Sequence, residues 1–162
     1  VFETFCLPSS ADGSYGTVYN YVSSDTVTPG GVPISVGTAW LYSEFRLGNL
    51  ATVVSGFIYG NAASANALQA AIWNLQGDAN HGSDPLNALA ALLVADAVAN
   101  AIVTDDNYGV FALNLTSRNQ TSAQPVLGFT SVPEPSTVVA GALLLLPFGV
   151  STLRILRKSK MQ

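Results

Sequence analysis

Near its C-terminus, the sequence contains an uncharged apolar run that is followed by basic residues. No charged residue occurs from position 138 to 153, and the residues that follow include Arg154, Arg157 and Lys158. A tilted helix of this length, with basic side chains reaching the headgroups, approaches the ~30 Å of a bilayer core, and it can tolerate Pro147. The basic flank predicts a cytoplasmic C-terminus. We therefore expect a transmembrane helix at residues 138–153, with the preceding chain outside.

A proline-rich element stands just before this predicted helix. Pro133, Glu134 and Pro135 precede the apolar run, and the basic tail follows it. The three elements in this order resemble the PEP-CTERM sorting signal, over residues 132–162. The resemblance implies a processing partner, an exosortase, which is a membrane protease that removes the helix. An ordinary single-pass anchor is the alternative, although such an anchor has no physical need for two prolines around a glutamate.

The charge of the remaining body excludes several classes of partner. Of the six basic residues in the chain, only Arg46 and Arg118 precede the proline-rich element, whereas ten residues of the chain are acidic. An acidic body disfavours binding to nucleic acid or to an anionic membrane surface. Together with the C-terminal signal, it indicates an exported protein of the cell envelope or extracellular surface, transiently held in the membrane by its C-terminal helix. We expect that a signal peptide was removed or omitted.

The body, residues 1–131, is long enough for one domain with a core and too short for two. Strand-like patterns at both ends flank a central helical region, which predicts an α+β fold. We expect the terminal strands to form a β-sandwich or barrel-like sheet with a central helical subdomain, followed by the separate transmembrane helix.

Three helices are predicted in the central region, each with a capping side chain at its start. The predicted starts are Thr38, Ser64 and Asp84 with Pro85, and the predicted ends are Gly48, Gly77 and about Val103. In the strand after these helices, the alternation places Phe111, Leu113 and Leu115 on one face.

The single cysteine needs an explanation in an exported protein. Cys6 cannot form an intramolecular disulfide, and with the single His81 it cannot complete a structural zinc site of four ligands. It is an inert buried residue, half of an intermolecular disulfide, or the partner of a reactive group elsewhere in the chain. A Cys6/His81 protease is disfavoured, because no oxyanion or substrate motif accompanies the pair. We predict no metal and no cofactor.

Two short segments, Phe5-Cys6-Leu7 and the predicted helix that contains Gln69 and Trp73, suggest that partner. They resemble the paired motifs of bacterial surface thioester domains, which occur in adhesins, and the resemblance spans most of residues 1–130. It implies an internal thioester bond with Cys6 as the sulfur donor and Gln69 as the acyl donor. The supporting residues that it implies are Phe5, Leu68, Trp73 and Gln124. Leu68 departs from the family, which has Ser or Thr before the glutamine.

Such a bond needs a thiolate that attacks the glutamine carbonyl and releases ammonia. The thioester then reacts once with a surface nucleophile, a protein amine or a polysaccharide hydroxyl, so the protein is not a turnover enzyme. Trp73, four residues after Gln69 on a helix, is expected to hinder water, and Glu44 is a candidate base. The alternative is a non-reactive envelope or extracellular-matrix protein sorted by an exosortase, in which Cys6 is buried and Gln69 bonds a strand carbonyl.

Overall fold

A computed structural model of the chain describes residues 4–7, 18–28, 30–78, 81, 85–104 and 106–130. The chain divides into two compact units, Val1–Thr130 and Ser131–Gln162. The whole second unit lies outside the described residues, and with it the expected transmembrane helix and proline-rich element. Among the described residues, no helix is long and apolar enough to cross a membrane. The described part is an α+β domain with small antiparallel sheets and helices.

The main sheet contains three antiparallel strands in the order β1-β4-β5. These strands are β1 (Asn20–Ser24), β4 (Val110–Thr116) and β5 (Val126–Phe129). The N-terminal segment, residues 4–7, extends the sheet beyond β5, because Cys6 forms an antiparallel bridge with Val126. Both ends of the domain therefore meet in one sheet, as the sequence predicts.

A second, two-stranded sheet pairs β2 (Thr26–Val27) with β3 (Val32–Pro33). Asn114 of β4 joins this hairpin to the main sheet. Its side-chain Oδ1 accepts a hydrogen bond from the Thr28 N–H at 2.8 Å, and its Nδ2 donates to the Thr26 carbonyl at 2.9 Å. The buried Asn114 amide thereby satisfies backbone groups that have no strand partner there.

In the described part of the chain, four α-helices follow β3: α1 (Val36–Leu47), α2 (Leu50–Val53), α3 (Ala62–Gln76) and α4 (Ala88–Asn100). A short 3-10 helix, Asn107–Gly109, then leads into β4. The core forms where α1, α3 and α4 pack on one another and α1 packs on β5. Leu41, Ile72 and Leu93 are fully buried there, and the Tyr42 hydroxyl donates to the Leu127 carbonyl at 3.2 Å.

The three helices begin at other residues than the sequence predicts, whereas both predicted glycine ends are confirmed. Gly48 and Gly77 end α1 and α3 in the left-handed conformation. The N-caps are Ser35, Asn61 and Asn87, and α4 ends at Asn100. Capping was assigned to the wrong residues because several polar side chains stand near each start. The Ser64 hydroxyl, for example, lies inside α3 and accepts from the Ile58 N–H instead.

The strand β4 buries its smaller side chains. Phe111, Leu113 and Leu115 share one face as the alternation predicts, but this face is only half-buried, and the buried face carries Val110, Ala112 and Asn114. Ala112 gives the helices room to approach the sheet. On the other face, the Phe111 ring lies over Gly128, which is its cross-strand partner.

We predict that Gly128→Ala destabilises the domain by about 1–3 kcal/mol, because the added Cβ would overlap the Phe111 ring atoms Cε2 and Cζ. Urea unfolding of the variant measures the change. In the double variant with Phe111→Ala, the loss should be smaller than the sum of the two single losses. An unchanged unfolding midpoint for Gly128→Ala would contradict this close contact.

Candidate functional site

The site begins with the N-terminal segment, which β5 holds as an extended strand. The Leu7 N–H donates to the Pro125 carbonyl at 2.8 Å, and the Leu127 N–H donates to the Phe5 carbonyl at 3.0 Å. In an antiparallel pair, the N–H and C=O of the residue between these two bonds point away from the partner strand. The two backbone groups of Cys6 are therefore directed outward from β5.

Gln69 of α3 occupies the position that a further strand would have. Its Oε1 accepts from the Cys6 N–H at 2.9 Å, and its Nε2 donates to the Cys6 carbonyl at 2.8 Å. The two bonds use both atoms of the side-chain amide and both outward backbone groups of Cys6. They join residues 63 positions apart in the chain. The structure thus brings together the two residues that the sequence predicts to react.

The thiol of Cys6 lies on a different face of the sheet from its neighbours. Phe5 and Leu7 are buried, whereas Cys6 is half-buried. Because side chains alternate along a strand, the Cys6 side chain points to the opposite face, where Val126 and Leu113 share its row. The thiol therefore lies on a partly accessible face of the sheet, opposite to the face that buries Phe5 and Leu7.

Burial raises the pKa of the Cys6 thiol above its ordinary value, because the thiolate is less well solvated there than in water. The neutral thiol is therefore the resting form at neutral pH. Glu44, the candidate base, lies on α1, where its charge contributes to a raised pKa of Tyr59, whose main cause is burial. That places its charge near the Tyr59 ring.

The predicted supporting residues have separate environments. Leu68 is fully buried, and the Phe5 ring packs edge-on against Phe45 at 5.2 Å between centroids. Gln124 Nε2 donates to the Leu7 carbonyl at a long 3.5 Å, beside the strand that carries Cys6. These residues hold the N-terminal segment against the helices and β5.

Trp73 makes a contact that the sequence did not suggest. Its ring stacks on the exposed His81 ring at 4.5 Å between centroids and 23° between planes. The buried indole Nε1 has no hydrogen-bond partner within the described part of the chain. His81 itself is exposed. No sequence spacing reveals the stacking, because a loop outside the helix returns His81 to Trp73.

A second glutamine of α3 makes an equivalent backbone contact. Gln76 Oε1 accepts from the Ser35 N–H at 3.0 Å, and its Nε2 donates to the Pro33 carbonyl at 2.7 Å. Gln69 and Gln76 are seven residues apart, so they lie on the same helix face. The signal that could have revealed Gln76 is this heptad spacing. The segment that Gln76 holds contains no cysteine, so a glutamine amide of this helix can also have a purely structural role.

The described residues contain no group of three or more His, Cys, Asp or Glu side chains that could hold a metal ion. The residues of the predicted sorting signal lie outside the described residues: Pro133, Glu134, Pro135, Arg154, Arg157 and Lys158. Comparison of the chain with protein-family models, curated proteins and solved structures finds no match.

We predict that the Cys6 thiol alkylates slowly at neutral pH in Gln69→Met, a variant that cannot form the bond. The labelling rate with iodoacetamide, followed by intact mass, should rise with pH with a midpoint above about pH 8.5, the ordinary pKa of cysteine. After unfolding in urea, the midpoint should return to this ordinary value. Because the folded pKa is the higher one, the thiol's contribution to stability is complete below the unfolded pKa and is lost as pH rises through the folded value. Equal labelling profiles for folded and unfolded chains would contradict the burial effect.

Proposed function

We propose that the domain attaches covalently to a target through an internal thioester between Cys6 and Gln69. The observation that supports this function is the pair of hydrogen bonds between the Gln69 amide and the Cys6 backbone, at 2.9 and 2.8 Å. They hold an acyl donor beside the only cysteine of the chain. Holding two reactants together lowers the entropic cost of their reaction.

The same two bonds suit the bond-forming step. The Cys6 sulfur attacks Cδ of Gln69, and negative charge develops on Oε1, which already accepts from the Cys6 N–H. This backbone group therefore acts as an oxyanion donor. The Cys6 carbonyl orients Nε2, the leaving group. The thiol proton is transferred to this nitrogen, the C–N bond breaks, ammonia leaves, and the S–C bond remains.

The transfer step reverses the roles of the two residues. A surface nucleophile attacks the thioester carbonyl, the S–C bond breaks, and the proton of the nucleophile passes to sulfur. Gln69 ends in an amide or ester with the target, and Cys6 returns to a thiol. Each molecule reacts once, so the protein is a covalent adhesion module and not an enzyme with turnover.

A structural envelope or matrix protein is the second candidate function. The Gln76 contact favours it, because a second glutamine amide of the same helix holds the Pro33 carbonyl and the Ser35 N–H without any thiol. In this case, the Gln69 contact would only fix the N-terminal segment. Intact mass separates the two functions, because only the reactive form lacks one ammonia.

We predict that the purified chain is lighter than its sequence mass by one ammonia and that methylamine adds to it. Cys6→Ala and Gln69→Ala should each abolish the ammonia loss. Gln76→Ala is the matched control, because it removes an equivalent pair of hydrogen bonds on the same helix and should keep the loss. A wild-type chain of full sequence mass with a freely titrating thiol would refute the covalent function.

The bond should also stabilise the fold, because it closes a loop of 63 residues. The loop-entropy estimate for a crosslink of this span is about 4 kcal/mol. Opening the bond with methylamine should therefore lower the free energy of unfolding by roughly this amount in wild type. The Cys6→Ala variant, treated in the same way, should show no change.

The proposed setting of this module is the bacterial cell surface. The resemblance of residues 132–162 to a PEP-CTERM signal supports export, insertion through the helix at 138–153 and processing by an exosortase-type enzyme. The acidic body with two basic residues supports a partner other than nucleic acid. The resemblance to thioester domains also supports a β-sandwich or barrel-like arrangement as the finer description of the fold.

We predict that replacing Pro133, Glu134 and Pro135 with alanines leaves membrane insertion intact and blocks maturation, because the prolines keep the processing segment extended. The uncut chain should then accumulate in the membrane fraction, as detected by immunoblot after cell fractionation. Maturation of this variant at the parental rate would identify the segment as a plain anchor.

A further inference from the structure

An open groove with aromatic walls lies beside the Cys6–Gln69 pair. We call it the aromatic groove, and its volume is about 510 Å³. The N-terminal segment, the end of α1, the loop before α3 and the first turns of α3 line it. The side chains that matter below are Phe5, Phe45, Phe57, Tyr59 and Ala65.

Two walls of the aromatic groove, the N-terminal segment and α3, also carry Cys6 and Gln69. On the N-terminal segment, its lining ends at Phe5, which is the residue before Cys6. On α3, its lining ends at Ala65, which is one helical turn before Gln69. A group bound in the groove therefore lies within about one helical turn of Gln69 along α3.

The walls of the groove are held in place by contacts within the domain. The Tyr59 ring stacks on Phe45 at 5.5 Å between centroids and packs edge-on against Phe57 at 5.1 Å. The Tyr59 hydroxyl donates to the Phe45 carbonyl at 3.1 Å and accepts from the Leu50 N–H at 3.2 Å. Because these groups are already fixed, binding pays little to order them.

The polar atoms of the lining indicate what the groove can bind. Among the residues that the structure describes, no charged side chain lines it. Thr4 Oγ1 donates to the Leu127 carbonyl, and Asn61 Oδ1 accepts from the N–H groups of residues 63 and 64, so these oxygens and the Tyr59 hydroxyl have internal partners. A sugar would bring hydroxyls that find few free partners here, whereas an apolar side chain loses nothing.

We propose that the aromatic groove binds an apolar side chain, aliphatic or aromatic, of a target protein and so selects nucleophiles that lie next to such a residue. This inference rests on the proposed thioester function. The exposed part of the lining fits this role, since Ile58 is 60% and Tyr59 is 37% exposed without a bound partner. The target class is then a protein segment in which an apolar residue accompanies the nucleophile.

The test uses the full chain and compares three amines as nucleophiles: 3-phenylpropylamine, methylamine and glucosamine. Intact mass gives the rate of adduct formation for each. We expect 3-phenylpropylamine to react roughly tenfold or more faster than methylamine, as the burial of one large apolar group allows. Ala65→Trp, which fills the groove, should lower the ratio of the 3-phenylpropylamine rate to the methylamine rate to about that expected without groove binding. Ala63→Trp, an exposed residue of the same helix that does not line the groove, should keep the wild-type ratio.

A second measurement separates the groove from the thioester. In Cys6→Ala, which cannot form the bond, binding of 3-phenylpropanol is followed by NMR shifts of the groove residues. Binding that Ala65→Trp abolishes and Ala63→Trp retains supports the groove even if no thioester forms. The inference is overturned if Ala65→Trp leaves this binding unchanged. It is also overturned if glucosamine gains the advantage that Ala65→Trp removes, because the groove would then select a polysaccharide.

Discussion

The paired hydrogen bonds between Gln69 and Cys6 are the contact on which the site depends. The N-terminal segment is only a short strand at the edge of the sheet, with one bridge to β5. Its outward N–H and C=O at Cys6 would otherwise lack a protein partner, which is costly where water is partly excluded. One side-chain amide satisfies both groups and fixes the segment against α3. The arrangement of aromatic rings around Phe5 follows from this position, since Phe5 precedes Cys6.

Two glutamines of α3 hold two extended backbone segments. Gln69 holds the Cys6 backbone and Gln76 holds the Pro33 and Ser35 backbone, two turns further along the same face. On the same helix, Leu68 and Ile72 are fully buried and fix the helix in the core. A rigid helix that holds both glutamines gives the amide of Gln69 a defined position. Such a fixed position is useful for a structural contact and necessary for a reactive one.

A single chemical difference separates these two contacts. Cys6 carries a thiol, half-buried and with a raised pKa, beside its amide partner, and the segment held by Gln76 carries none. In the proposed reaction, the Cys6 N–H polarises the Gln69 carbonyl, which offsets the low nucleophilicity of a neutral thiol. The aromatic groove ends at Phe5, the residue before Cys6. Under the two proposals, reactivity and selectivity are therefore properties of neighbouring but separate groups.

The sequence by itself determined the α+β class and the two glycine helix ends, because periodicity and glycine conformation are local properties. Cys6 and Gln69 became candidates through the resemblance of their segments to thioester domains. The sequence misplaced the helix starts, since several polar residues near each start compete for the same backbone donors. Only the tertiary structure decided that β4 buries Ala112 and Asn114, that Gln76 repeats the contact of Gln69, and that His81 stacks on Trp73. These features join residues far apart in the chain, and their energies depend on packing that no local pattern contains.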